Sequence, residues 1–195
     1  TEPLTQAIQY QARSSPTVSW RGLSEMEKRE FTRLPELGNE ALKAWAMKFR
    51  QIRPNNAEFV ADLATYIQEN PYFYSLTPPS YEASNSLADF WLLGKRGFCS
   101  HYASATAYIL RSVGIPARLV GGYLGGVYNS TANYIQVRQM EAHVWVAVWL
   151  EGGWQRFDPT AAVAPNRVEQ SLDDLLSGDQ SQELPIFSRM RNQLG

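Results

Sequence analysis

The only cysteine among the 195 residues, Cys99, stands where a reactive thiol would be expected. It follows Gly97, which favours a sharp turn, and it precedes an alanine-rich segment that favours a helix. A thiolate at a helix N-terminus is stabilised by the helix dipole and by free backbone N–H groups. His143 begins a later apolar strand pattern, and Asp158 ends the next one. A thiol, a base and a carboxylate are the components of a Cys-His-Asp acyl-transfer site.

Each of these three residues also has a structural interpretation. A lone cysteine commonly packs as a small buried apolar residue, and a histidine commonly satisfies local hydrogen bonds. Asp158 followed by Pro159 is typical of a turn at the end of a strand. The residue types and their order therefore favour catalysis only slightly over a structural role, and the position of Cys99 at a predicted helix start contributes most.

The elements that must position these residues are helices in the first part of the chain and strands in the second. Ser24 and Glu27 have capping-box spacing, and Asn39 and Asn56 precede two amphipathic segments, which end near Ile52 and at Asn70-Pro71. Further helices are predicted over residues 86–93, 99–113 and 172–176, and strands over residues 8–13, 72–76, 118–123, 134–138, 143–150 and 154–157.

Helices followed by strands indicate an α+β fold, in which the nucleophile helix packs against an antiparallel β-sheet that carries the base and the carboxylate. A thiolate on one layer meets an imidazole on the other only at the interface, so we expect a groove there. The hairpin geometry presents a difficulty. A two-residue turn at Gly152-Gly153 pairs Ala147 with Asp158, about 13 Å along the strand from His143. A direct bond between His143 and Asp158 therefore requires a longer loop or a bulge.

Composition indicates one compact soluble domain spanning residues 1–195. The chain is 44% hydrophobic and 19% charged, with a formal net charge of −1. No basic run interleaved with aromatic residues is present, so we expect no nucleic-acid partner. One cysteine and two histidines are too few soft ligands for a zinc site, and no metal or other cofactor is expected. The longest apolar run, residues 144–150, is too short to cross a bilayer, and no signal segment begins the chain.

Residues 85–162 resemble the core of the bacterial transglutaminase-like family, within the papain-like cysteine enzymes. Four ordered blocks carry the resemblance, namely DFWLL (89–93) leading to RGFCSHYA (96–103), LRSVGIPAR (110–118) running to GGY (121–123), HVWV (143–146) and GWQRFDPT (153–160). The resemblance implies that Cys99 is the nucleophile, that His143 is the general base and acid, and that Asp158 orients the imidazole. It divides the chain into an N-terminal part (1–84), a catalytic core (85–162) and a C-terminal helix and tail (163–195).

The family resemblance also implies the reaction and its partners. Acyl transfer would proceed through a thioester of the protein-glutamine gamma-glutamyltransferase type, from a glutamine-containing protein or peptide to an amine, with deamidation when water is the acceptor. The Cys99 backbone N–H and one further donor would hold the oxyanion. Two alternatives stay open, a cysteine protease or amidase acting on cell-wall peptides and a catalytically silent peptide-binding module.

A softer similarity covers most of the chain. The segment Arg33-Leu34-Pro35 ahead of a helix resembles the lead-in of membrane-anchored members of the family. It implies a soluble periplasmic domain of an inner-membrane protein, which meets the membrane only through segments outside this chain. No catalytic role is assigned to these three residues.

Several other conspicuous residues have structural interpretations. His101 stands on the first turn with Cys99 but points round the helix, which favours a structural or groove-wall role. Arg118 is expected to form a buried or structural ion pair. Four tryptophans are expected in the core and in the groove lining, namely Trp91, Trp145, Trp149 and Trp154. The acidic residues near the C-terminus are expected on a solvated surface, namely Glu169, Asp173, Asp174, Asp179 and Glu183.

Overall fold

The computed structural model describes residues 9–13, 21–36, 38–81, 83–165 and 168. The chain divides into two units, residues 1–20 with 182–195 and residues 21–181. Every helix and strand described below lies in the second unit. The predicted helix over residues 172–176 and the acidic C-terminal residues lie outside the described residues. The assignment of residues 1–195 to a single domain stays a prediction.

The helices and strands of the second unit follow the predicted order. The helices are α1 (Glu25–Phe31), α2 (Glu40–Arg50), α3 (Asn56–Glu69), α4 (Ser86–Ala88), α5 (Cys99–Ser112) and α6 (Pro159–Val163), with a π-helical turn at Asp89–Gly94 and a 3₁₀ turn at Gln139–Glu141. The strands are β1 (Phe73–Tyr74), β2 (Arg96–Gly97), β3 (Ala117–Tyr123), β4 (Val127–Asn129), β5 (Tyr134–Gln136), β6 (Ala142–Leu150) and β7 (Gly153–Phe157). The short strands β2 and β4 and the short helix α6 were not predicted.

The predicted strand over residues 8–13 is wrong for the part that is described. Residues 9–13 are exposed and have no regular structure. Tyr10, whose side chain was expected on a buried face, is 79% exposed. An alternating pattern indicates a strand only where another layer covers its apolar side, and the five described residues have no such cover.

Helix capping follows the sequence at one helix and departs from it at two others. Ser24 and Glu27 form the predicted capping box of α1. Asn55, one residue earlier than predicted, caps α3. Asn39 has a left-handed backbone with φ of 61° and does not cap α2 with its side chain. Its side-chain oxygen Oδ1 instead accepts hydrogen bonds from the backbone N–H groups of Leu87 and Ala88, so that Asn39 connects α4 to α2.

The central sheet is antiparallel, with strand order β3-β6-β7. Helix α5 packs against β6, the middle strand, and the helices and sheet share one core. Tyr102 and Ile109 on α5 and Val146 and Val148 on β6 are at most 1% exposed. The α+β fold, with the helix that begins at Cys99 packed on an antiparallel sheet, is therefore confirmed.

The β6–β7 hairpin resolves the geometric difficulty without the longer loop or bulge that was predicted. Its two-residue turn is Glu151-Gly152, one residue earlier than expected, and both residues have positive φ, of 50° and 81°. Positive φ at both positions is typical of a type I′ turn. The last pair of the ladder is Val146 with Phe157. One step further, Asp158 comes opposite Trp145, which places it diagonally across from His143 on the same face of the sheet.

Candidate active site

Cys99 is the first residue of α5, as predicted. Phe98, before it, is extended, and α5 makes its first backbone bonds to the Phe98 carbonyl from His101 and Tyr102. The N–H groups of the first helical residues have no partner within a helix, so they are available to a thiolate or an oxyanion. Gly97 is required by close packing: a Cβ there would lie 2.7 Å from the Cβ of His101.

His143 is the second residue of β6 and is almost fully buried. Its Nε2 lies 2.8 Å from Oδ2 of Asp158, and its side chain is hydrogen-bonded to the thiol of Cys99. A carboxylate oxygen can only accept, so Nε2 carries a proton and Nδ1 is left to face the thiol. The structure therefore brings Cys99, His143 and Asp158 together in the order that the sequence predicted.

Asp158 combines the two roles that the sequence left as alternatives. It lies between β7 and α6, where Oδ1 accepts a hydrogen bond from the backbone N–H of Thr160 and caps α6. Oδ2 accepts from His143 and, at 3.0 Å, from Nη2 of Arg156. The carboxylate thus closes the turn before Pro159 with one oxygen and orients the imidazole with the other.

The electrostatics of the three residues favour a thiolate–imidazolium pair. Burial acts to raise the pKa of Cys99, but hydrogen bonds from His143 and from the N–H groups of Val144 and Ser100, with the imidazolium charge, lower it overall. Burial acts to lower the pKa of His143, but Asp158 and Cys99 outweigh it and raise that pKa to about 9. Burial likewise opposes ionisation of Asp158, yet His143 and Arg156 lower its pKa.

A groove of about 1100 Å³ opens over the thiol at the interface of helix and sheet, as expected. Its described lining consists of residues 74–76, 98–100, 121–123, 139–140 and 142–144. Apart from Cys99 and His143, these residues carry no ionisable group other than tyrosine hydroxyls. The rest of the described wall therefore presents no charged side chain that a neutral group in the groove would leave unpaired.

The remaining sequence predictions concern residues around the site. His101 is half-buried, and its ring packs edge-on against Phe98 with centroids 4.4 Å apart, which fits the favoured structural role. Arg118 forms no ion pair with a residue that the structure describes; its guanidinium instead lies 4.2 Å from the ring centroid of Trp154. Among the described residues, a tryptophan face rather than a carboxylate therefore lies beside this cation, and the ion pair stays a prediction.

The four tryptophans divide between the core and the face of the sheet that carries His143. Trp91 is fully buried among helices, as predicted. Trp149 and Trp154 pack edge to face on the sheet, and none of the four lines the groove where it is described. The ring of Trp145 stacks beside His143, with centroids 6.2 Å apart and planes at 22°.

Sequence reasoning missed Arg156, which contacts Asp158. A signal was present: Arg156 stands two residues before Asp158, and alternate residues of a strand share a face. A cation and an anion two residues apart on a strand make contact only when their side chains lean toward each other on the shared face.

The family model of the transglutaminase-like superfamily matches residues 43–159, more than half of the chain. The chain belongs to the transglutaminase-like superfamily. The matched range includes all three residues of the candidate site, Cys99, His143 and Asp158. Within the part of the chain that the structure describes, no helix has the length and apolar character needed to cross a membrane.

One sequence relative and one solved structure, both from Pseudomonas aeruginosa, are similar to the transglutaminase-like chain. A protein-glutamine gamma-glutamyltransferase is 42% identical over 165 residues, which are 84% of this chain and 23% of that protein. The crystal structure of the periplasmic domain of TgpA matches with a TM-score of 0.73 at 40% identity, over 77% of this chain and 52% of that one. A second structure, a putative cysteine protease from Cytophaga hutchinsonii, has a TM-score of 0.52 at 23% identity and supports the fold alone.

The lowered pKa of Cys99 leads to a direct test by alkylation. Because the chain has one cysteine, iodoacetamide consumption reports on Cys99 alone. We expect the alkylation rate to reach half its maximum well below pH ~8.5, the midpoint of a free thiol. In His143→Ala the midpoint should rise, because the hydrogen bond and charge of the imidazole are lost. A wild-type rate that increases only near the free-thiol midpoint would contradict an activated thiolate.

Asp158→Asn separates the two roles of the carboxylate. The asparagine oxygen still accepts from Thr160, but its NH₂ group then faces Nε2 and favours the tautomer with the proton on Nδ1. We expect turnover to fall by about 10²- to 10⁴-fold, the upper end being the loss seen for the equivalent change in a serine protease. The melting temperature should stay within a few degrees. Unchanged turnover would leave a Cys-His dyad and remove Asp158 from the catalytic unit.

Proposed function

We propose that the chain is a cysteine acyltransferase of the protein-glutamine gamma-glutamyltransferase type, which works through a thioester on Cys99. The observation that carries the proposal is the position of the His143 imidazole between two partners. Asp158 holds Nε2, and the side chain is also hydrogen-bonded to the thiol of Cys99. That arrangement supplies a nucleophile, a base and an orienting carboxylate within one hydrogen-bonded unit. The similarity to a transglutaminase of P. aeruginosa supports the same reaction class.

Thioester formation is the first half of the reaction. The Cys99 thiolate attacks the carboxamide carbon of a glutamine side chain, and a C–S bond forms. The carbonyl oxygen becomes an oxyanion, to which the Cys99 backbone N–H at the start of α5 donates a hydrogen bond. The His143 imidazolium then transfers the proton on Nδ1 to the departing nitrogen. The C–N bond breaks, ammonia leaves, and His143 is neutral.

Transfer to the acceptor is the second half. A primary amine attacks the thioester carbon while neutral His143 removes the proton from its nitrogen. The new C–N bond forms, the C–S bond breaks, and the thiolate and imidazolium are restored. When water replaces the amine, the product is glutamate and the net reaction is deamidation.

The partners of the proposed enzyme are a glutamine-containing protein or peptide donor and an amine acceptor. The groove wall supports a neutral donor side chain, because its described residues present mostly apolar and small surfaces. The similarity to a periplasmic domain supports a periplasmic location. We propose that the chain is part of the periplasmic portion of an inner-membrane protein, as its resemblance to membrane-anchored members of the family implies; it spans 23% of its relative's length.

The test is incubation of the chain with a glutamine-containing donor peptide and a fluorescent primary amine, followed by mass spectrometry of the peptide. We expect the amine to be joined to the glutamine, with ammonia lost. Conversion of glutamine to glutamate without amine incorporation would establish deamidation and overturn the transferase assignment. Cleavage of the peptide backbone would assign the chain as a protease. An unmodified peptide, with Cys99 shown to be reduced and reactive, would overturn the enzyme proposal.

A further inference from the structure

One face of the central sheet carries two arginine–tryptophan pairs. Cross-strand partners share a face, so the register places Arg118, Trp145, Trp154 and Arg156 on the face that includes His143. The guanidinium of Arg118 lies 4.2 Å from the ring centroid of Trp154, and that of Arg156 lies 4.3 Å from the ring centroid of Trp145. The two pairs are alike in chemistry and differ in their distance from the site.

Arg156 contacts two of the groups that hold the imidazole. Its Nη2 donates to Oδ2 of Asp158 at 3.0 Å, the same oxygen that accepts from Nε2 of His143 at 2.8 Å. Its guanidinium also covers the ring of Trp145, which stacks beside the imidazole of His143. Arg118 makes neither contact, because its guanidinium packs on Trp154.

The shared oxygen has a consequence for proton transfer. Among the described residues, the charged and titratable groups that act on His143 are Cys99 from α5 and Asp158 from the end of β7, while Arg156 acts on Asp158. The Arg156 cation lies within about 6 Å of Nε2, because both groups bond the same oxygen. A positive charge there stabilises the carboxylate and disfavours the imidazolium.

We infer that Arg156 is a positioning residue of the acyl-transfer site: it holds Asp158 and Trp145 around His143, and its charge limits the affinity of the imidazole for its proton. His143 then remains able to give that proton to the departing nitrogen. The effect on turnover rests on the proposed function, whereas the effect on the pKa of His143 does not.

The experiment is an NMR titration of the histidine side chains in the whole chain labelled with ¹³C-histidine. The chain has two histidines, so His101→Gln assigns the signal of His143. In Arg156→Gln, which retains an amide donor and loses the charge, the pKa of His143 should rise by about 0.5 to 1 pH unit. In Arg156→Lys, which retains the charge, it should stay within about 0.2 unit of wild type. Arg118→Gln is the matched control and should not change it.

Turnover measurements complete the test. In Arg156→Gln we expect kcat to fall about 10-fold with little change in KM, and the alkaline limb of the pH profile to move upward with the NMR shift. A purely structural role would lower the melting temperature and leave both the pKa and the alkaline limb unmoved. If Arg156→Gln does not fold, Arg156→Met carries the same expectation.

The inference is overturned if the pKa of His143 in the charge-neutral variants of Arg156 equals that in Arg118→Gln. The titration needs no substrate, so this failure is distinct from a failure of the proposed function. Absence of amine incorporation by the wild-type chain would reject the transferase and leave the NMR result standing.

Discussion

Replacement of Cys99 by alanine is expected to lower amine incorporation to the uncatalysed rate. Cys99 is the only thiol in the chain, and no other described groove residue can form a thioester. Alanine is the best helix former, and Cys99 is partly exposed at the first position of α5, so the fold should tolerate the change. Turnover with a glutamine donor and a fluorescent amine, together with the melting temperature, checks both statements.

Ser104→Ala is the matched control for this variant. Ser104 is a small polar residue on the same helix, outside the described groove lining, and the substitution should leave turnover at the wild-type level. Retention of wild-type amine incorporation by Cys99→Ala would show that the reaction does not pass through this thiol. Loss of turnover accompanied by a collapse of the melting temperature would show that Cys99 acts through the fold.

Replacement of His143 by alanine should be nearly as damaging, with a loss of about 10⁴-fold or more in kcat. The imidazole lowers the pKa of the thiol, donates a proton to the leaving nitrogen and removes one from the acceptor, so all three contributions disappear together. Residues that act as one unit are not additive, and the double variant Cys99→Ala with His143→Ala should be no less active than Cys99→Ala alone.

His101→Ala is the control, because it removes the other histidine of the chain. The ring of His101 packs against Phe90 and Phe98, and its Nδ1 accepts a hydrogen bond from the backbone N–H of Phe98. We expect a loss of roughly 1 to 2 kcal/mol in the free energy of unfolding, as for partial burial of an aromatic ring, with the chemical step preserved. Equal losses of single-turnover rate in the two variants would refute the assignment of His143 as the base.

Local signals in the sequence were sufficient to predict the elements that carry the site. The capping box at Ser24, the helix that begins at Cys99 and the strand that carries His143 depend on neighbouring residues and on the period of apolar side chains. Such signals act within a few residues and are readable without a partner. The α+β class followed from the same source, since the order of helices and strands is local information.

Contacts between distant segments were predicted less well. The side chain of Asn39 has cap chemistry, but it caps α4, almost fifty residues away, because α2 and α4 pack side by side. The π-helical turn at Asp89–Gly94 was expected as an ordinary end to a short helix. Arg118 was assigned an ion pair, but its guanidinium reaches across the middle strand β6 to the face of Trp154 on β7.

The sequence by itself determined the chemical types and chain order of Cys99, His143 and Asp158. Only the tertiary structure decided that they meet. Moving the β6–β7 turn by one residue shifts every cross-strand pair, and this shift brings Asp158 diagonally opposite His143 on one face. The contact of Arg156 with the same carboxylate is local, because the two residues stand two apart at the end of one strand. The turn position depends on which residues adopt positive φ once β6 is packed against α5, and a non-glycine such as Glu151 gives no local sign of it.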